Sequence, residues 1–103
     1  MKVGKAMAYT SKFQSQEIDE LFDAFISLDS KEECYRFFED LVTVKELQAM
    51  SQRWQVAKCL DAKMTYLDIE AKTGASAATI SRINRCMAYG SDGYKNMIDK
   101  LKK

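Results

Sequence analysis

The run Thr73-Gly74-Ala75-Ser76-Ala77-Ala78-Thr79-Ile80-Ser81-Arg82 constrains this chain more than any other stretch. A glycine just past a helix end supplies the positive φ that this position often needs. Two residues later, Ser76 can cap a second helix by accepting a backbone N–H. The spacing predicts a helix-turn-helix over about residues 65–89. Its second helix opens with small and hydroxylated side chains and then carries Arg82 and Arg85. Small side chains let a helix N-terminus approach DNA closely. Hydroxyls and guanidinium groups reach phosphates or base edges.

The surrounding sequence points the same way. Proline is absent and no stretch alternates cleanly at period two, so an all-α fold is expected. A first helix over about Phe13–Leu28 carries Ile18, Leu21, Phe22, Phe25 and Leu28 at helical spacing. Ser30-Lys31-Glu32-Glu33 reads as a capping box, opening a helix with the stripe Cys34, Phe37, Phe38, Leu41. Thr43-Val44-Lys45-Glu46 repeats that box and opens a long helix, with Leu47, Met50, Trp54, Ala57 and Leu60 on one face and an end near Lys63. Thr65 caps the fourth helix, which runs to about Lys72, and Ser76 the fifth, to about Tyr89. A last helix presents Tyr94, Met97, Ile98 and Leu101. Residues 1–12, polar with three lysines, read as a flexible arm ahead of a single helical domain over 13–103.

Composition narrows the class of function. The chain has 103 residues and is rich in large apolar side chains, among them Phe13, Phe22, Phe25, Phe37, Phe38 and Trp54. A monomer of this size buries only a modest core, so burial against a second copy is expected. Residues 1–42 hold five Lys/Arg against nine Asp/Glu, whereas residues 43–103 hold eleven against six. A basic C-terminal part suits a DNA-facing end. There is no histidine, no nucleophile–base pair and no metal-ligand spacing, so an enzyme is not expected and no metal or catalytic residue is assigned. Cys34, Cys59 and Cys86 are far apart and odd in number; they read as buried thiols of a reducing cytoplasm. No apolar run is long enough for a membrane span. Met1-Lys2-Val3-Gly4-Lys5 lacks a signal-peptide core, so a cytoplasmic location is expected.

In a helix-turn-helix, the second helix offers its first turns to the major groove. Ile69, Ile80 and Ile83 are expected on the packed side. Ser76, Ala77, Ala78, Thr79, Ser81, Arg82 and Arg85 are the candidate DNA-contacting residues of the second helix, with Thr65 and Tyr66 at the start of the first. Glu70 stands where many such motifs carry alanine.

From about Phe37 to Lys102 the chain resembles the Trp repressor family. The likeness begins at Leu41-Val42-Thr43, passes through Glu46, Ala49 and Arg53, and is closest over Met64–Arg82; a charged residue at the Glu70 position is shared. It implies a six-helix, intertwined homodimer whose two reading heads bind double-stranded DNA about one turn apart. It also implies a corepressor pocket, which falls here on Thr43, Arg53, Thr79, Arg82, Ile83 and Cys86. Two arginines facing one gap suit a carboxylate or a flat ring. The family's glycine and serine are replaced by Ile83 and Cys86, which removes both room and a hydroxyl. Tryptophan is therefore not the expected ligand, no cofactor is assigned, and an unidentified small-molecule corepressor stays open.

The sequence thus supports a dimeric, sequence-specific transcriptional regulator, most simply a repressor. The alternative is a helical dimer that serves as a protein-interaction module, its acidic N-terminal third and exposed aromatics carrying the contact.

Overall fold

The structure is a computed structural model that describes residues 9–102. Most of the expected arm, residues 1–8, lies outside that span. The described residues form six helices and no strand: α1 Gln16–Ile26, α2 Lys31–Leu41, α3 Val44–Asp61, α4 Tyr66–Thr73, α5 Ala77–Tyr89 and α6 Gly93–Leu101. They divide between Asp40 and Leu41 into two compact units.

The N-terminal unit contains α1 and α2. Ser15 accepts the Ile18 N–H at 3.1 Å and starts α1 three residues later than the apolar pattern suggested, leaving Phe13 outside the helix and exposed. Ser30 Oγ accepts the Glu33 N–H at 3.1 Å, as its capping role requires. The return bond differs from the expected box. Glu33 Oε1 accepts the N–H of Asp29 at 3.0 Å, so the chain is gripped one residue earlier. Phe25 stacks on Phe38 with centroids 5.3 Å apart and meets Phe37 edge-on at 5.9 Å. Yet no residue of α1 or α2 is buried. Of the predicted stripe of α2, Phe37 and Phe38 are half-buried, while Cys34 and Leu41 are exposed.

The C-terminal unit holds a closed core. Val56, Ala57 and Cys59 of α3 are buried with Ile69, Ala75, Ile80, Ile83 and Ile98, and Trp54, Leu60, Met64, Met87 and Tyr94 pack around them. Of the predicted stripe of α3, Ala57 is buried and Trp54 and Leu60 pack against the core, while the burial of Val56 and Cys59 extends the buried side beyond that stripe. Leu47, Met50, Trp54 and Leu60 are only half-buried, because α4, α5 and α6 all dock where Val56, Ala57 and Cys59 point. The reciprocal box at its start forms as expected: Thr43 Oγ1 accepts from Glu46 N at 3.1 Å, and Thr43 N donates to Glu46 Oε1 at 2.8 Å.

At the other end of α3 the Lys63 N–H donates to the Leu60 carbonyl at 3.0 Å and the Met64 N–H to Cys59 at 3.1 Å. That pair of bonds is the Schellman arrangement, and it forces the intervening residue into the left-handed region. Here that residue is Lys63, at φ 66°.

The cysteines correct the sequence reading. Cys59 is buried, but Cys34 and Cys86 are exposed. In α5 the buried side runs through Ile80 and Ile83, and six residues at about 100° each leave Cys86 about 120° around the helix from Ile80, off that side.

Candidate nucleic-acid interface

The turn between α4 and α5 is built from short-range hydrogen bonds. Thr65 Oγ1 accepts from Asp68 N at 3.2 Å and starts α4. Gly74 closes the helix at φ 74°, donating its N–H to the Glu70 carbonyl at 2.9 Å. Thr73 Oγ1 donates to the Ile69 carbonyl at 2.8 Å and accepts the Ala75 N–H at 3.1 Å. Ser76 Oγ then accepts from Thr79 N at 3.2 Å and starts α5. Ala75, between the two caps, is buried in the core and anchors the turn.

α5 has two unlike sides. Ile80 and Ile83 are 0% and 1% exposed and face the core with half-buried Met87. Ala78, Ser81, Arg82 and Arg85 fall on the opposite side at helical spacing and are exposed. Ala77, also exposed, extends that side at the first turn. Among the described residues neither Arg82 nor Arg85 has an ion-pair partner. The guanidinium groups are free for an external anion.

The first turn of α5 contains no acidic residue. Thr79 and Ile80 spend their N–H groups on Ser76, so those of Ala77 and Ala78 are the unsatisfied donors of the helix start. With only methyl groups around them, these donors and the positive end of the helix dipole can approach a phosphate. Ser76 Oγ donates to Thr79 Oγ1 at 3.1 Å, which leaves the Thr79 hydroxyl proton for an outside acceptor. Thr65 is exposed, and Tyr66, the first residue of α4, is 37% exposed. Glu70 is half-buried.

The residues of the implied small-molecule pocket are dispersed in burial. Ile83 is part of the core, Arg53 of α3 is half-buried, and Arg82 and Cys86 are exposed. Thr43 is engaged as the cap of α3. A cleft of about 380 Å³ does exist beside the reading head, but other residues line it: Gln48, Ser51, Gln52 and Gln55 of α3 with Lys72 and Thr73. Sequence reading overlooked these side chains. Their i, i+3, i+4, i+7 spacing marks one polar face of α3, whereas the partner across the cleft is visible only in three dimensions.

Six helices, with a helix-turn-helix set on a long third helix, define a Trp repressor-like fold. The family model described as Trp repressor protein matches residues 16–102, and the chain belongs to that family. A relative from Bacillus subtilis strain 168, the uncharacterized protein YerC, is 49% identical over 92 residues, which is 89% of this chain and 88% of that protein. Two solved structures are similar throughout. A candidate Trp repressor from Staphylococcus aureus superposes with a TM-score of 0.85 at 48% identity, covering 88% of this chain and 91% of that one. A TrpR-like protein from Eubacterium eligens gives 0.86 at 49% identity, covering 88% and 94%. Among the described residues no helix is long and apolar enough to cross a membrane.

Proposed function

We propose that this protein is a homodimeric, sequence-specific DNA-binding regulator that represses by occluding its target. The observation that carries the reading is the two-sidedness of α5. One side is locked to the core by Ile80 and Ile83; the other offers Ala77, Ala78, Ser81, Arg82 and Arg85 to solvent. Arg85 and Ser81 are the base-reading candidates. Thr65, Tyr66, Ser76 and Thr79 surround the helix starts, where phosphate contacts fix register. Membership of the Trp repressor family supports the same reading.

The dimer is supported by the N-terminal unit. Phe22, Ile26 and Tyr35 are each at least half exposed, and α1 and α2 bury nothing. A second copy is the natural cover for such a face. For a corepressor, the burial of Ile83 favours a site whose indole-sized space is already filled by this side chain. This supports regulation without tryptophan.

Selection of bound sequences from a random duplex pool at physiological salt tests the reading. A near-palindromic consensus with half-sites about one turn apart is the expected result. Lack of enrichment at salt that weakens non-specific contacts, both for the protein alone and with a small-molecule cell extract added, would overturn it in favour of the interaction module. On the selected site, the double variant Ser81→Ala, Arg85→Ala should bind at least about tenfold more weakly, since one good base contact discriminates by about 1–3 kcal/mol.

A further inference from the structure

The core of the C-terminal unit holds the reading head by apolar contacts, which carry little angular preference. A directional contact is present as well. α4 spans only Tyr66–Thr73, and its last carbonyls have no partner within the helix. The carbonyl of Thr73 accepts from Gln52 Nε2 at 3.1 Å, a donor placed 21 residues earlier on α3. Gln52 is half-buried, and its Nε2 lies 3.9 Å from where a Cβ on Gly74 would stand. The same Thr73 binds the Ile69 carbonyl and the Ala75 N–H through Oγ1. One residue therefore joins the end of α4, the turn into α5 and the long helix.

We propose that Gln52 is a positioning residue that sets the angle at which α5 meets DNA. It touches no DNA itself. It fixes the Thr73 carbonyl, and through the Thr73 hydroxyl it fixes Ala75 and the start of α5. The proposal rests on the DNA-reading role of α5 stated above. A hydrogen bond loses strength steeply when its angle opens, so Gln52 resists rotation of the turn that the isoleucines alone would permit.

The experiment compares the full-length protein with Gln52→Met, which keeps the reach but has no donor, and Gln52→Lys, which keeps a donor. Two quantities are read: amide hydrogen exchange at Gly74 and Ala75, and affinity for the selected duplex against an unrelated one. For Gln52→Met, exchange at Gly74 and Ala75 should rise about tenfold while Ile83 is unchanged. Affinity for the selected site should fall about tenfold, with the unrelated duplex bound as before. Gln52→Lys should restore the protection.

Unchanged exchange in Gln52→Met overturns the clamp. Faster exchange with undiminished specific affinity overturns the positioning role. Loss of protection in both variants assigns the effect to packing and also overturns the proposal. If the parent protein selects no sequence, the DNA-reading role fails, yet the exchange comparison still decides whether Gln52 holds the turn.

Discussion

Gly74 and Gly90 have different reasons to be glycine. At Gly74 the φ of 74° is the constraint, since a Cβ there would meet only Gln52 Nε2 at an ordinary 3.9 Å. Gly74→Ala should therefore lower unfolding free energy by about 1–2 kcal/mol, the cost of a left-handed L-residue, as measured by urea titration. At Gly90 φ is ordinary, but a Cβ would collide with the Cys86 carbonyl oxygen, and backbone must move. Ile83 was readable from sequence both as a core residue and as a pocket wall. In the fold it is fully buried, and Ile83→Ala should cost about 2–5 kcal/mol. That choice was not legible beforehand, because one side chain at helical spacing serves either role until its neighbours are placed. Gly74, Ser76 and Thr43 were legible, because a cap acts through bonds to residues two to four positions away.

The helices show the same division. Caps at Ser15, Ser30, Thr43, Thr65 and Ser76 place the starts of five of them. The end of α3 is less well matched to its residue. Lys63 occupies the left-handed position of a Schellman turn that glycine usually fills. Lys63→Gly relieves the Cβ strain at some cost in chain entropy and should stabilise the protein by about 0.5–1 kcal/mol. A lower urea midpoint would contradict this account. At its C-terminal end α3 is also tied to α6 by Lys102 Nζ and Asp61 Oδ2, 2.9 Å apart. The hydrogen bond to Asp61, and then its charge, raise the Lys102 pKa above its usual 10.5. Stabilisation from a raised lysine pKa is fully present below 10.5 and is lost as pH climbs through the raised value. Asp61→Asn should therefore differ in stability from the parent at neutral pH and converge with it in strong alkali, as followed by thermal unfolding against pH. The buried side of α3 was only partly legible in the sequence, Ala57 being placed on it and Val56 not, because apolar residues occur around most of its circumference.

For the whole molecule, the charge division coincides with the division into units. The C-terminal unit has eleven basic against six acidic residues, the N-terminal unit five against nine. Association with DNA should weaken with salt, and the slope of log affinity against log salt counts the phosphate contacts, at about 0.9 per contact. Arg82→Ala should make that slope shallower by about one contact. Phe22 and Tyr35 of the N-terminal unit are exposed, and a second copy is the cover proposed for them. If a second copy supplies it, the thermal midpoint must rise with protein concentration. A midpoint independent of concentration, with a monomer in sedimentation, would exclude the dimer.

The sequence by itself determined the helical class, the number and approximate extent of the helices, the turn at Gly74 and the two-sided pattern of α5. These depend on propensity, capping and periodicity, all of which act over a few residues. Tertiary structure alone decided that Val56 joins the buried side of α3, that Ile83 lies in the core rather than on a pocket wall, that Cys34 and Cys86 are exposed, and that Gln52 reaches Thr73. Each of those depends on which surfaces of separate helices meet. No local rule encodes that, because a polar or apolar face states only that a partner is wanted, not where it comes from.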